Sequence, residues 1–476
     1  MNSILFMPEL VLIFGSLVAF GVCLGEGRSR LAAVTALTTA LLTLVSSVAS
    51  LCLAGDLFCQ AYRVDLFSQL FKVFIALGLV AVVLFGSKLK DVRAEVRPEY
   101  FLFLLLGSLG LTLLVSSVEL ISLFIALELS SYALYLLVPL RREQPGLRVQ
   151  MESAAKYVMF GIVATGFLLF GMSYLYGMTG STYFSAIGPA LVQHWGEPAV
   201  LVGMMLILAG LFFKLAAFPM HLWAPDVYQG ASNETTAFIA GVPKVAVVAV
   251  LIRFLMCAQP SNQTLSLVIS LAAIGSMFFG NLAALVQKDL KRMLGYSSIA
   301  HAGYVMLGLV TLKASGYAVS MFYIFGFVVM NLAAFLVICQ MSKDGENVTL
   351  DDVSGLHQRN PLAAFVLACS MFAMAGIPPF AGFMGKWLLL NEALSSGFVT
   401  LVVIAAVNTA IGIYYYLTVA RVIYFTDPGQ RPAFQFERGV AALSVALIVL
   451  VTLLGIMPAK LLNATIMAVR IPLFHG

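Results

Sequence analysis

Residues 210–230 read GLFFKLAAFPMHLWAPDVYQG, an apolar run that contains one lysine and two prolines. Pro219 lies five residues after Lys214, and Pro225 lies six residues after Pro219. A charge near the middle of a bilayer costs about 2.5–3.5 kcal/mol on insertion scales. Proline interrupts a helix because it has no N–H and clashes with the preceding turn. The stretch therefore predicts a membrane-spanning helix that is broken at a functional position.

The whole chain has the composition of a polytopic membrane protein. Of its 476 residues, 61% are hydrophobic and 10% are charged, against about 25% charged in soluble domains. Apolar windows of about 20 residues, the length of a membrane helix, recur from Glu9 to Leu462. Runs of this length exclude a β-barrel, whose strands alternate over about 10 residues. We therefore predict an all-α polytopic membrane protein with no separate globular domain.

Several classes of ligand lack support in this sequence. The six cysteines form no C-x-x-C pair, so iron–sulfur, zinc and haem ligation are unsupported. The sequence contains no phosphate-binding loop, no G-x-G-x-x-G and no nucleic-acid module. We expect no metal and no cofactor bound by this chain, and no nucleic-acid partner; the lipid bilayer is the expected surrounding.

Fourteen spans account for the apolar windows and for the placement of basic residues. We predict them at 4–25, 31–54, 66–87, 100–117, 119–140, 154–176, 199–229, 235–257, 264–286, 295–312, 315–341, 361–396, 398–424 and 440–462. If the N-terminus is outside, the cytoplasmic loops hold 17 of the 27 Lys and Arg residues and the outside loops hold five. Because cytoplasmic loops are enriched in Lys and Arg, this bias favours fourteen spans with both termini on the periplasmic side.

The remaining five basic residues are all lysines inside predicted spans: Lys72, Lys156, Lys214, Lys244 and Lys386. Arginine stays charged at any accessible pH, whereas a desolvated lysine can exchange its proton. This selection of lysine over arginine favours a protein that moves protons.

The distance of each charged residue from the centre of its predicted span selects the candidates for function. Glu128, Lys214 and Lys244 lie near the centres of three spans, and we expect Glu128 and Lys214 to form an ion pair with Lys244 as the next group. Lys386 follows a second proline break. The alternative is a buried salt bridge that only fixes helix packing, for which desolvation cancels much of the attraction.

Other polar residues near spans allow two readings each. Lys156 and His301 belong to the candidate proton path, although a lysine near a span end can snorkel and a lone histidine is often a packing residue. His221 and Glu392 are weaker candidates. Glu9 and Lys72 lie near span ends, and we expect Glu9 to reach the headgroups. The run Tyr414-Tyr415-Tyr416 is most simply interfacial or packing.

The prolines also reveal a repeat. The seventh and twelfth spans are both long and both broken, at Pro219 and Pro225 and at Pro378 and Pro379. Spans four to eight and nine to thirteen then form two sets of five, each with its broken span fourth. Because five is odd, the second set is inverted relative to the first, as in transporters whose discontinuous helices line the site at the midplane.

This reading divides the chain into four parts, which we predict at 1–98, 99–257, 264–424 and 425–476. The first part holds three N-terminal helices. The two middle parts are the inverted repeats, helices four to eight and nine to thirteen. The last part is a loop followed by helix fourteen.

At this point the sequence resembles the antiporter-like subunits of respiratory complex I, and among them the N-type subunits of bacterial NADH–quinone oxidoreductase. The stretches that carry the resemblance are FKLAAFPMHLWAPDVYQGA (213–231), VPKVAVVAVLIRF (242–254), QKDLKRMLGYSSIAHAGYVMLG (287–308), IALELSSYALY (125–135) and AGIPPFAGFMGKW (375–387). They cover the centre of the chain and both repeats. A lysine at 386, rather than a glutamate, favours the N-type over the M-type.

The resemblance implies a proton-translocating subunit in the bacterial cytoplasmic (inner) membrane, with protons passing through Glu128, Lys156, Lys214, Lys244, His301 and Lys386. It implies that NADH, FMN, iron–sulfur clusters and quinone bind partner subunits, and that K-type and M-type subunits are neighbours. Two alternatives remain open at this point. One is a subunit of a multi-subunit cation/proton antiporter, and the other is a subunit of a membrane-bound hydrogenase-type complex.

Overall fold

The structure is a computed structural model that describes residues 3–25, 27–142, 149–258, 262–342 and 345–470. The first repeat and the helices before it are α1 (Met7–Cys23), α2 (Ser29–Ala49), α3 (Leu66–Phe85), α4 (Arg97–Ser116), α5 (Leu120–Leu137), α6 (Val149–Thr179), α7 (Phe184–His194), α8 (Pro198–Leu215), α9 (Trp223–Gly230) and α10 (Asn233–Leu255). The remainder is α11 (Gln263–Ala284), α12 (Leu290–Leu309), α13 (Ala314–Met341), α14 (Leu356–Arg359), α15 (Pro361–Ala375), α16 (Ala381–Ser395), α17 (Val399–Phe425), α18 (Arg438–Ile456) and α19 (Ala459–Arg470). A short hairpin joins β1 (Gly55–Leu57) to β2 (Tyr62–Val64).

The predicted all-α membrane fold is confirmed. Within the described residues, twelve helices are long and apolar enough to cross a membrane. The other two predicted spans correspond to α12 and to the broken pair α15 and α16. The last span differs in its end: it was predicted to reach residue 462, but α18 stops at Ile456 and α19 follows. Pro458 explains the stop, because the residue before a proline is disfavoured in helical conformation.

Successive spans run in opposite directions, so their ends lie alternately at two faces of the molecule. We call them the hairpin face, which holds residues 55–64 and the end of α10 at Arg253, and the Arg141 face, which holds Arg141 and the start of α12. Leu5, before α1, packs against Leu57 and Tyr62 on the hairpin face. Since α18 is the fourteenth span, it also ends on that face. The first and last described spans therefore have their outer ends on the same face.

The two sets of five helices pack in the same way. In the first set α4 packs on α5 and on α10, and α6 packs on α9. In the second set α11 packs on α12 and on α17, and α13 packs on α16. The first and second spans pack together in both sets, as do the first and fifth spans, and the third span packs on the second half of the broken fourth span. This agreement supports an internal repeat.

Both broken spans are interrupted at mid-length by a left-handed residue and a proline. The helix α8 ends at Leu215, with Ala216 at φ +61°, and the peptide bond before Pro219 is cis. The helix α15 ends at Ala375, with Gly376 at φ +86°, and the peptide bond before Pro379 is cis. A left-handed C-cap residue ends a helix and leaves its last carbonyls without intrahelical donors.

Pro225 has a different role from the one predicted. It occupies the third position of α9 rather than the break itself. The first turn of a helix tolerates proline because its N–H groups have no intrahelical acceptor. The break therefore covers residues 216–222, and Pro225 begins the second half-helix.

Arg141 ties the two repeats together at its face. Its guanidinium donates to the carbonyls of Gln229 at 2.9 Å and Gly345 at 2.7 Å, and to Asn347 Oδ1 at 2.8 Å. Burial lowers the pKa of Arg141 from its ordinary value, and the neighbouring Asp91 carboxylate opposes that change. Because Arg141 is the first residue after the span that ends at Leu140, this contact fixes the end of α5 against the second half of the broken span.

Candidate functional site

A row of polar side chains crosses the centre of the molecule from α5 to α16. Its members predicted from the sequence are Glu128, Lys214, Lys244, His301 and Lys386. Four of these are less than a tenth exposed: Glu128 at 7%, Lys244 and His301 at 2%, and Lys386 at 5%. Buried charges in a membrane protein are costly and mark candidate ion pathways.

The first contact of the row differs from the prediction. Lys214 Nζ donates to Ser131 Oγ at 2.6 Å and to Tyr135 OH at 3.2 Å, whereas Glu128 Oε1 accepts from Thr165 Oγ1 at 2.8 Å. No direct ion pair joins Glu128 to Lys214 among the described residues. The reason is the register of α5, because Glu128, Ser131 and Tyr135 share one face and Lys214 reaches it one turn beyond Glu128. Ser131 therefore lies between the two charges.

A small cavity continues the row from Lys214 towards α10. It has a volume of about 20 Å³ and is lined in part by Ser131, Lys214, Ile239 and Pro243. A cavity of this size has room for one water molecule if polar groups surround it. Pro243 lies inside α10 and has no N–H, so the carbonyl of Ile239 loses its helical donor. The cavity is therefore lined by the Ser131 hydroxyl, by the Lys214 ammonium and by the point where Pro243 interrupts the hydrogen bonding of α10.

Lys244 connects the two repeats. Its Nζ donates to Ser298 Oγ of α12 at 2.8 Å and lies 5.8 Å from the centre of the Tyr228 ring. Ser298 in turn donates to Tyr228 OH at 3.2 Å. Lys244 of the first repeat is thus hydrogen-bonded directly to α12, the second helix of the second repeat.

His301 follows on α12, one turn beyond Ser298. Its Nδ1 is hydrogen-bonded to Tyr323 OH at 2.7 Å, and its Nε2 to Tyr416 OH at 3.1 Å. Tyr416 OH is also hydrogen-bonded to Ser297 Oγ. Because both ring nitrogens are engaged by hydroxyls that can donate or accept, the imidazole can pass a proton by exchanging tautomers.

Lys386 ends the row at the second break. Its Nζ donates to the carbonyls of Met374 at 3.0 Å and Ala375 at 3.2 Å, which are the last carbonyls of α15. The same Nζ lies 4.6 Å from the centre of the Tyr304 ring, one turn beyond His301 on α12. The second break thus leaves two helix-terminal carbonyls free to accept from the Lys386 ammonium.

The structure does not bring Lys156 to the row. Lys156 Nζ lies 2.8 Å from Asp226 Oδ2 and 2.7 Å from Glu152 Oε1, and Arg292 Nη1 lies 2.7 Å from Asp226 Oδ1. The Lys156 side chain is 39% exposed. It lies near the start of α6, so its length carries the ammonium to the Arg141 face instead of the membrane centre. Lys156 thus belongs to an ion cluster on that face.

The two weaker candidates also lie apart from the row. His221, in the first break, packs between Phe218 and Phe279, and neither ring nitrogen has a hydrogen-bond partner among the described residues. Glu392 Oε1 accepts from Ser315 Oγ at 2.6 Å near the end of α16 on the hairpin face. Lys386 is hydrogen-bonded to the carbonyls of Met374 and Ala375 and not to either of these two residues.

Sequence reasoning missed several members of the row, among them Tyr416, Ser298 and Pro243. Tyr416 was assigned to the interface or to packing, but it is 1% exposed and bonded to His301. Its neighbour Tyr414 is 68% exposed, as assigned. Ser298 and Pro243 were not singled out. The sequence does carry a signal for Ser298, because Ser298, His301 and Tyr304 recur at the spacing of one helix face.

The chemistry available to this row is proton transfer. Ammonium, imidazole, hydroxyl and carboxyl groups alternate along it, and each can give or take a proton. Among the described residues, no group of three or more His, Cys, Asp and Glu side chains is placed to hold a metal ion. The row thus supplies proton donors and acceptors rather than a ligand cage.

Comparison with known proteins bears on the identity of this fold. Residues 117–412 match the family model described as NADH:quinone oxidoreductase/Mrp antiporter, TM. A curated relative from Opitutus terrae, NADH-quinone oxidoreductase subunit N 2, is 50% identical over 460 residues, which is 96% of each chain.

Two solved structures are also similar. A chain of respiratory complex I from Thermus thermophilus with bound aureothin aligns with a TM-score of 0.84 and 33% identity, over 96% of this chain and 99% of that one. A chain of the Mrp complex from Dietzia sp. aligns with a TM-score of 0.88 at 21% identity, over 98% and 97%, which shows the shared fold. The chain thus belongs to the subunit N family of NADH-quinone oxidoreductase, the antiporter-like membrane subunits of that enzyme complex.

Proposed function

We propose that this chain translocates protons in the membrane arm of an NADH–quinone oxidoreductase, along the row from Lys244 to Lys386, driven by quinone reduction in other subunits. The observation that carries the proposal is the bond from Lys244 Nζ to Ser298 Oγ, because it joins the polar groups of the two repeats into one row. Membership of the subunit N family supports the setting in which the row operates.

The proposed path uses each contact described above in turn. Protons reach Lys244 from the Arg141 face, which we assign to the cytoplasm from the distribution of Lys and Arg. They pass through Ser298 and His301 to Lys386 and leave at the hairpin face, which we assign to the periplasm together with both termini. Glu128 and Lys214 set the charge balance at the start of the row, acting through Ser131.

The division of the chain follows from this path and is part of the proposal. Residues 99–257 supply Glu128, Lys214 and Lys244, and residues 264–424 supply His301 and Lys386. Residues 1–98 and 425–476 flank the two repeats. NADH, FMN, iron–sulfur clusters and quinone belong in this proposal to partner subunits, and K-type and M-type subunits are the proposed neighbours in the bacterial inner membrane.

Neutralising Lys214 tests the proposal. We expect Lys214→Met to lower NADH-driven proton pumping by the assembled complex by about tenfold or more, because general acid–base groups typically contribute 10²–10⁴-fold. Lys313→Met is the matched control, since Lys313 is exposed on the hairpin face. Pumping is measured in proteoliposomes as the acidification of the lumen per NADH oxidised. Equal pumping by both variants would refute the proposal.

The antiporter alternative predicts a different ion. A sodium site favours several oxygen ligands around the cation. In the row, Glu128 supplies the one carboxylate, and it is bonded to Thr165. The proton proposal is therefore the better fit to this geometry, and replacing sodium by choline in the pumping assay distinguishes the two.

A further inference from the structure

A second group of buried charges lies in the N-terminal helices, apart from the row. Lys72 Nζ of α3 lies 3.0 Å from Glu9 Oε1 of α1, and both side chains are 0% exposed. Glu9 was expected to reach the headgroups, and Lys72 to lie near a span end. The packing of α1 and α2 against α3 and α4 encloses both instead.

The hydrogen bonds around this pair are incomplete. Lys72 Nζ also donates to Tyr62 OH at 2.9 Å and lies 5.1 Å from the centre of that ring. Neither Glu9 oxygen makes a hydrogen bond of regular geometry among the described residues, although the Tyr62 hydroxyl interacts with the carboxylate. The lysine is therefore held by two oxygens, while the carboxylate lacks a full set of donors.

Further polar side chains connect the pair to the hairpin face. Asp65, Gln69 and Lys72 are spaced as i, i+4 and i+7, so they share one face of α3. Gln69 is fully buried, yet neither amide atom has a partner within the described part of the chain. Because buried amides are nearly always hydrogen-bonded, Gln69 indicates ordered water at this depth. Ser116 is equally buried and interacts with the Tyr62 hydroxyl, next to the bridge between Tyr62 and Ser117.

The outer end of this face of α3 carries a second ion pair. Arg253 Nη2 lies 3.1 Å from Asp65 Oδ1, and Arg63 Nε lies 3.0 Å from Asp56 Oδ1 at the exposed hairpin. The charged groups that act on Lys72 are Glu9, Asp65 and Arg253. Polar groups thus extend from the surface of the hairpin face to Glu9.

The inner end is closed. Towards α13, Phe71 and Phe74 on either side of Lys72 both pack on Phe325, with ring centres 4.9 and 4.1 Å away. Gly78 lies directly against Val242 of α10, two residues before Lys244. These apolar contacts separate the pair from the central row.

We propose that Glu9, held by Lys72, is a second proton-binding site of this chain, which exchanges protons with the hairpin face alone. Uptake of one proton converts the Glu9 carboxylate into a carboxylic acid while Lys72 remains an ammonium, and release of that proton restores the ion pair. The site is a dead end, so it buffers or senses protons at the exit face and does not carry them across the membrane.

Infrared difference spectroscopy of the assembled complex tests this assignment directly. Acidifying the native complex adds a carboxylic-acid C=O band for each carboxyl that takes up a proton. We expect one such band to be missing from Glu9→Gln, whose amide keeps the shape of the side chain and cannot titrate. Identical bands from the native complex and Glu9→Gln would overturn the proposal and leave the pair with a packing role.

Two further variants keep the test decisive if Glu9→Gln fails to assemble. The double variant Glu9→Leu/Lys72→Met replaces the pair by apolar side chains, a change that is often neutral for stability in buried pairs. It must lose the same band. Tyr62→Phe keeps the ring and removes the hydroxyl that accepts from Lys72. The Lys72 ammonium then depends more on the Glu9 carboxylate, and we expect the midpoint of the band to move to lower pH. An unshifted midpoint counts against the proposal.

The readout is independent of the proposed function, because it detects proton uptake and not pumping. Lys244→Met serves as the matched control within the same complex. It removes a buried lysine of the row, and we expect the Glu9 band to remain. Normal pumping by Lys244→Met with this band retained would refute the proposed function and leave the Glu9 assignment standing.

Discussion

At the scale of single residues, the row depends on hydroxyl groups as much as on charges. Ser131, Ser298 and Tyr416 each bond a lysine or the histidine of the row. A hydroxyl both donates and accepts, so it can pass a proton without carrying a charge. The charged residues are therefore spaced more widely than ion pairs would require.

Tyr416 offers a sharp test at this scale, because its sequence neighbour Tyr414 provides the control. We expect Tyr416→Phe to reduce NADH-driven proton pumping by about tenfold or more, since the variant loses the hydroxyl between His301 and Ser297. Tyr414 is 68% exposed, so Tyr414→Phe is expected to pump normally. Both variants are measured in proteoliposomes at equal amounts of assembled complex. Normal pumping by Tyr416→Phe would place the proton route elsewhere.

At the scale of helices, the second break is supported by a close helix contact. Gly455 of α18 lies against the segment between α15 and α16. A Cβ atom at Gly455 would lie 2.0 Å from the carbonyl oxygen of Pro379, which is backbone and cannot move aside easily. The glycine is thus required by the approach of α18 to the break.

We expect Gly455→Ala to destabilise the protein by about 1–3 kcal/mol, the usual cost of overpacking. Gly439 lies in the same helix, and a Cβ there meets no atom within 4 Å. Because both substitutions add the same intrinsic helix propensity, the difference between Gly455→Ala and Gly439→Ala isolates the contact with the break. The measurement is the thermal unfolding midpoint of the purified complex. Equal unfolding midpoints for the two variants would show that α18 can shift away from Pro379 without a loss of stability.

At the scale of the whole molecule, the alternation of spans predicts which residues share a side of the membrane. Lys288 precedes α12 and Lys313 follows it, and both are exposed. The distribution of Lys and Arg assigns the side of Lys288 to the cytoplasm.

Labelling of single cysteines checks this assignment. In a background without the six native cysteines, we expect a membrane-impermeant maleimide added to intact cells to label Lys313→Cys and not Lys288→Cys. Permeabilised cells should show labelling of both, which serves as the control for reactivity. The reverse pattern in intact cells would invert the orientation and the direction of the proposed path.

Sequence reasoning recovered the helices of this fold better than its contacts. Hydrophobic run length located the spans, because the bilayer imposes one length on all of them. Depth in a span also picked out Glu128 and Lys244, and both are buried. Lys386 was picked out by the proline break before it and is buried as well. The depth of a residue in its span does not predict whether its side chain points to the core or to the lipid. Glu9 and Tyr416 were misjudged for that reason. Glu9 near the start of α1 and Tyr416 within α17 are both buried by neighbouring helices.

The contact of Lys386 with the last carbonyls of α15 has a further consequence. Lys214 likewise lies in the last turn of α8. The C-terminal end of a helix carries a partial negative charge from its aligned peptide dipoles. The half-helices α8 and α15 enter from opposite faces, so the two lysines face negative poles that point towards each other across the midplane. A tilt of either half-helix changes the local potential at its lysine. Under the proposed function, such a tilt would alter how firmly that lysine holds its proton.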